Sequence, residues 1–216
     1  MYQPQEIRIF GRPSALKLTS LQKILWALVG VAAATVMAFQ IWGSDPTETA
    51  ALEDSAFQAV FELTDHTGMI RTQDDFAGKW MLVFFGFTNC PDVCPTTLAE
   101  VAAVMDGLGR DASFVQPLFI SIDSERDKPQ ALAEFVPQFN AGIIGLTGTP
   151  EQIERTANDF YIFYEKVTEA AAPGGYTMGH SSQLFLFGPE GDFLTTYPYG
   201  TPAEDILADL TGRLRK

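Results

Sequence analysis

The chain has 216 residues, 46% of them hydrophobic, and a formal net charge of −13. Its 27 acidic side chains against 14 basic ones exclude a nucleic-acid partner, whose phosphates need a basic face. Beyond residue 42 the chain is long enough to bury a core without disulfide staples, and it holds only two cysteines.

Residues 1–23 carry Arg8, Arg12, Lys17 and Lys23 against the single acid Glu6. Residues 24–42 carry no charge, and Gln40 is their only amide. A run of this length is enough to cross a bilayer as a helix. Trp26 and Trp42 lie near its ends, where amphipathic rings favour the headgroup level, and Asp45 and Glu48 follow. The basic residues before the run predict a cytoplasmic N-terminus and an exported body. A cleaved signal peptide is the alternative, with small-residue sites at Ala32-Ala33-Ala34 and Val36-Met37-Ala38. The apolar run continues through Phe39, Ile41 and Trp42, past the length of a signal core, so an uncleaved anchor is expected. Residues 43–56 are small, polar and acidic and read as a tether. From Gly43 onward 10 basic residues face 26 acidic ones, a net −16, which suits a soluble exported body and a basic or cationic partner.

Residues 57–216 read as one domain. Phe57 to Leu63 is expected as a strand, Asp65-His66-Thr67-Gly68 as a turn and Met69 to Thr72 as the hairpin partner. Trp80 to Phe87 is a buried strand. Helical spacing runs from Thr96 to Leu108, with apolar Leu98, Val101, Met105 and Leu108. Pro117 to Ile122 is a second buried strand and Pro129 to Phe139 a helix. Gly142 to Leu146 is a short strand, and Thr149 caps a helix that starts at Pro150. Tyr161 to Val167 is extended, and residues 174–179 form a glycine-containing mobile loop. Ser182 to Phe187 and Asp192 to Tyr197 form a hairpin around Gly188-Pro189-Glu190-Gly191. Thr201-Pro202 caps a last helix to Leu214. Buried strands alternating with helices mean a parallel core, and the late hairpin adds antiparallel strands. The fold class is α/β: a thioredoxin-like fold with an N-terminal β-hairpin and insertions, preceded by one transmembrane helix.

Both cysteines lie in Cys90-Pro91-Asp92-Val93-Cys94-Pro95, directly after the apolar strand. A chain that keeps its whole thiol inventory four positions apart uses it for redox, for metal binding, or for both. A static staple across so short a loop would stabilise little. Pro95 has no N–H and suits the first helical position, which puts Cys94 near the N-cap. A residue before proline is pushed from helical angles, so both cysteines are expected on extended or turn backbone. The helix N-terminus favours a thiolate there, and the charge of Asp92 opposes it. Three intervening residues, one more than in a Cys-x-x-Cys redox motif, widen the bite. Two such sulfurs can pair with each other or chelate one soft ion.

Thiolates point to Cu(I) or zinc, and an added imidazole also tolerates Cu(II). His66 sits in a turn and reads as solvated. His180 precedes the strand expected beside the one leading to Cys90, and is the candidate third donor. Two thiolates and one imidazole leave a position open through which an ion could be handed on. Asp123 and Arg126 follow a core strand and read either as groups near the site or as a solvated loop with local ion pairs. Met178 reads as an ordinary loop methionine.

The segment Phe84-Phe85-Gly86-Phe87-Thr88-Asn89-Cys90-Pro91-Asp92-Val93-Cys94-Pro95 resembles the Sco/SenC family. So do Ser121-Ile122-Asp123-Ser124-Glu125-Arg126-Asp127 and Gly179-His180-Ser181. The resemblance spans roughly residues 57–214 and implies a membrane-anchored, thioredoxin-like copper metallochaperone. By motif it assigns one copper per chain to Cys90, Cys94 and His180. It implies delivery to the CuA centre of cytochrome c oxidase, hence a copper-bearing oxidase subunit as client and a copper donor protein upstream. It places the chain as a single-pass protein of the inner membrane, with its body on the periplasmic or intermembrane side. Two departures stand out: Gly179 where the family often has an acid, and Asn89 where His or a similar residue is common.

The alternative is a thiol–disulfide oxidoreductase in which Cys90 and Cys94 reduce the oxidase subunit's cysteine pair before metallation. Thioredoxin-like reductases keep a cis-proline just before the strand facing the dithiol. Here the nearest upstream proline is Pro173, which favours metal over general exchange. A peroxidase ranks last, because Thr88-Asn89-Cys90 does not match the Thr-x-x-Cys of peroxiredoxins.

Overall fold

The computed structural model describes residues 20–42 and 57–215. The basic segment 1–19 and the expected tether 43–56 lie outside the described residues. The chain divides into two units, residues 1–55 and 56–216.

In the first unit, helix α1 (Ser20–Trp42) has 23 residues, about 34 Å at 1.5 Å per residue. Ile24, Leu25, Trp26, Leu28, Val29, Val31, Val36 and Met37 are exposed along it. The Thr35 hydroxyl folds back onto the carbonyls of Val31 and Ala32, at 3.1 and 2.9 Å. Among the described residues no helix is long and apolar enough to cross a membrane. The side chains described in α1 end at Ala38, short of the end of the uncharged run in the sequence.

The body is built on a seven-stranded sheet of order β2-β1-β5-β4-β3-β8-β9. Its strands are β1 (Glu62–Asp65), β2 (Ile70–Thr72), β3 (Trp80–Gly86), β4 (Val115–Ser121), β5 (Ile144–Thr147), β8 (Leu184–Phe187) and β9 (Phe193–Tyr197). Strands β3, β4 and β5 are parallel, while β1 and β8 flank them antiparallel. Helices α2 (Val93–Leu108), α3 (Pro129–Phe135), α4 (Pro150–Asp159) and α5 (Ala203–Leu214) complete the body. β3 is buried on both faces, which is why it reads as an unbroken apolar run rather than an alternation. Period two sends Phe84 and Phe85 to opposite faces. Phe84 meets Phe119, and Phe119 meets Phe135. Phe85 meets Phe160 and Phe185 on the other side.

Several boundaries differ from expectation. Residues 57–61 do not form the expected strand, which starts at Glu62; they make one isolated bridge, Gln58 to Asp192. The α-helix opening at Pro129 gives way to a 3-10 turn at Val136–Phe139, because Pro137 has no N–H to continue the ladder. Thr149 caps α4 as expected: its hydroxyl accepts from the Gln152 N–H at 3.3 Å, and the Gln152 side chain accepts from the Thr149 N–H at 2.9 Å.

The main correction concerns residues 174–179. They are not a mobile loop: Tyr176–His180 is strand β7, paired antiparallel with β6 (Tyr164–Thr168) in a separate two-stranded sheet. Gly174 and Gly175 form the tight turn that enters it, with φ of 72° and 78°. Gly179 sits within the strand, opposite Glu165, and disguises it in the sequence.

Candidate metal centre

Gly86 ends β3, and the chain turns through Thr88 and Cys90 into α2. A β-carbon on Gly86 would come within 2.8 Å of the Cys94 sulfur, so only glycine leaves that sulfur its place. Asp127 braces this turn from the loop after β4. Its carboxylate accepts from the Thr88 N–H at 2.8 Å, the Thr88 hydroxyl at 2.5 Å and the Ser121 hydroxyl at 2.6 Å. Burial pushes the Asp127 carboxyl upward, against these hydrogen bonds.

Cys94 lies within the first turn of α2, not on extended backbone as expected. The first N–H groups of a helix lack intrahelical partners, so Pro95 at the third position breaks no bond. Burial of Cys94 (0% exposed) together with Leu98 outweighs the weak extended preference of a residue before proline. Cys90 is half-buried, and its sulfur accepts the backbone N–H of Cys94 at 3.3 Å. It thus occupies the helix N-terminus, where negative charge is favoured. Both cysteines are free thiols in this structure.

The two sulfurs are unequal. The hydrogen bond from the Cys94 thiol, with help from His180 and the N–H groups of Asp92 and Cys94, pushes Cys90 well below the usual thiol range. The same bond and burial push Cys94 up. Negative charge on the pair is therefore favoured at Cys90, at the helix N-terminus, over the buried Cys94.

His180, at the end of β7, completes the cluster. Its Nε2 lies 3.7 Å from the Cys94 sulfur. Its Nδ1 sits 2.8 Å from the Ser181 carbonyl. A carbonyl only accepts, so Nδ1 carries a proton, and this contact turns Nε2 toward the sulfurs. Phe84 and Phe87 meet the imidazole edge-on at 6.1 and 6.0 Å between ring centres. Among the described residues no three Cys, His, Asp or Glu side chains are already arranged as a metal cage. The three donors adjoin without being pre-set around an ion.

His66 lies elsewhere. Its Nδ1 accepts the Gly145 N–H at 3.2 Å, tying the turn after β1 to β5. Met178 packs partly buried against the core. Asp123 and Arg126 are not a solvated loop: Asp123 is 3% exposed, and its carboxylate pairs with the Arg126 Nε. The Arg126 Nη1 donates to the carbonyls of Pro173 and Tyr176 at 2.6 and 3.0 Å. The Tyr176 hydroxyl donates to Asp123 at 2.8 Å. Tyr176 escaped the sequence reading because nothing local marks it. The acid–base spacing at 123 and 126, directly after a buried strand, was the only signal.

A mixed sheet with a dithiol between a buried parallel strand, β3, and the next helix defines a thioredoxin-like protein. The SCO1/SenC family model matches residues 49–215. The zebrafish (Danio rerio) mitochondrial SCO2 homologue is 42% identical over 142 residues, 65% of this chain and 50% of that protein. The crystal structure of Arabidopsis thaliana ScoI with copper bound superposes with a TM-score of 0.69 at 34% identity, covering 74% of this chain and 99% of that one. BsSco, described as carrying a disulfide switch and as a member of the Sco family of cytochrome c oxidase assembly proteins, gives 0.59 at 26% identity, covering 74% and 95%. The chain belongs to the SCO1/SenC family. It spans about half the length of the curated relatives it matches.

Proposed function

We propose that this chain is a membrane-anchored copper metallochaperone. One copper is held by the sulfurs of Cys90 and Cys94 and by Nε2 of His180, and is passed on to the copper-bearing subunit of cytochrome c oxidase. The observation that carries the reading is the approach of His180 Nε2 to the dithiol, with Nδ1 engaged at the Ser181 carbonyl. Soft sulfurs with one imidazole suit Cu(I) and tolerate Cu(II). The copper-bound structures of similar chains support the metal, and the assembly role described for BsSco supports the client.

The uncharged run at residues 24–42, the basic residues before it and the exposed apolar face of α1 support an anchor that leaves the body on the exported side. The body then meets its client at the membrane surface. The test is copper content after anaerobic loading of the reduced protein, compared with Cys90→Ser and Cys94→Ser. One equivalent in the parent and none in either variant is expected, with sulfur-to-copper charge-transfer absorption for Cu(II). Full loading of Cys94→Ser would overturn the site.

A second reading has its own observation. Cys90 is half-buried with its sulfur on the Cys94 N–H at the helix N-terminus, while Cys94 is buried, the asymmetry that disulfide exchange uses: Cys90 attacks and Cys94 resolves. On this reading the dithiol reduces the client's cysteine pair and is itself oxidised to the Cys90–Cys94 disulfide.

A further inference from the structure

We propose that Arg126 is the latch of the arm carrying His180, so that the third donor closes onto the dithiol, or leaves it, as a unit. This rests on the copper-holding reading of Cys90, Cys94 and His180, and names how that site opens. The donors stand on separate supports. The two sulfurs belong to the turn and first helical residues between β3 and α2, at the centre of the main sheet. His180 ends β7, whose strand partner is β6, in a two-stranded sheet apart from the main one. A two-stranded hairpin is marginal by itself. Whatever ties it to the body therefore sets where the imidazole stands.

One loop, following β4, supplies the ties. Arg126 crosses to the root of β7 and donates Nη1 to the Pro173 and Tyr176 carbonyls. Its Nε pairs with Asp123, which also accepts the Tyr176 hydroxyl. The Tyr176 ring receives the guanidinium at 3.7 Å and the Lys166 ammonium of β6 at 3.9 Å, and Lys166 pairs with Glu125 at 2.7 Å. Arg126 also reaches the other end of the arm. Its guanidinium lies 5.9 Å from the Phe87 ring, and Phe87 is one of the two rings that abut His180.

The latch is built to hold without locking. The Arg126 Nη2 is buried and has no hydrogen-bond partner, so the clamp is not fully satisfied. Apart from Tyr164 and Met178, which pack partly buried against the core, the arm is thinly held: Glu165 and Val167 of β6 are exposed. When the arm lifts, the copper keeps its two sulfurs and loses the imidazole. A donor of the acceptor protein then takes the vacated position, a ligand exchange that moves no electrons.

The test uses the full chain in detergent, reduced and loaded with one Cu(I), and follows transfer to a chromophoric copper(I) chelator. Arg126→Lys and the milder Tyr176→Phe are each made with and without His180→Ala. Arg126→Lys is expected to speed copper loss about tenfold and Tyr176→Phe about threefold, with faster amide exchange across residues 176–180. The Cys90–Cys94 reduction potential should not move. In the His180→Ala background Arg126→Lys should add nothing, since the arm no longer carries a donor. Equal acceleration in both backgrounds would overturn the proposal, because Arg126 would then act on the sulfurs or on general stability. Unchanged amide exchange in Arg126→Lys would overturn the latch alone. A parent protein that takes up no copper would overturn the ligand reading and the gate with it.

Discussion

His180 Nε2 stands 3.7 Å from the sulfur of Cys94, although 86 positions separate the two residues in the chain. Cys94 is fixed by a helix and by the sheet core, and His180 by a two-stranded hairpin outside the main sheet. A copper site assembled in this way, as proposed, would change one donor without disturbing the other two.

Removing the imidazole should therefore have a selective effect. His180→Ala is expected to keep the Cys90–Cys94 couple and to form its disulfide normally. It should lose Cu(II) binding and weaken Cu(I) retention at least tenfold, about 1.4 kcal/mol. Titrating copper and measuring the dithiol potential on the same protein checks both halves. Intact copper binding with collapsed exchange would make the reductase reading the main one.

Gly86 is the sequence-silent part of the thiol site. In Gly86→Ala the new methyl meets the Cys94 sulfur and the Phe119 ring, each at 2.8 Å. Overpacking of this kind costs about 1–3 kcal/mol. Chemical denaturation should show that loss, and copper affinity should fall with it because the displaced sulfur is a proposed ligand. A variant of unchanged stability and affinity would show that the sulfur has room to move.

Asp65 sets an acid limit on the fold. Burial raises its carboxyl, but the bonds from the Thr67 hydroxyl, Arg71 and the N–H groups of Met69 and Thr67 outweigh that and hold it well below the carboxylate range. A depressed carboxyl gives stability that is present above the unfolded value, about pH 4, and is lost as pH falls toward the folded one. Asp65→Asn should cost about 2 kcal/mol near neutral pH, and the gap to the parent should close below about pH 4. Thermal melts at several pH values read this out, and a gap independent of pH would mean that charge is not the cause.

Topology is open to a direct test. An alkaline phosphatase fused after Lys216 should be active when the chain is made in bacteria, because residues 24–42 are proposed to cross the membrane with the N-terminus inside. A silent phosphatase alongside an active cytoplasmic reporter would place the body on the wrong side.

Much of this protein was legible along the chain because the signals are local. The buried run of β3, the punctuation of Thr149-Pro150 and the clustering of both thiols beside Pro95 depend on near neighbours alone. The choice of His180 over His66 was less local, since it came from the expected place of the following strand beside the one leading to Cys90; His180 lies beside Cys94 and His66 on Gly145. Local rules also misled at Cys94, where the preference of a residue before proline lost to burial, and in residues 174–179, where glycines hid a strand.

The sequence by itself determined where the dithiol falls, which strand leads to it, the uncharged run at residues 24–42 and the acidic balance of the body, since these follow from residue type, period and neighbour. Only the tertiary structure decided that Asp123 is buried, that Arg126 grips the root of β7 and that Tyr176 lies between two cations. Those contacts join residues about fifty positions apart. A charged loop reads the same in sequence whether it faces water or another segment, and chain folding alone supplies the partner that distinguishes the two.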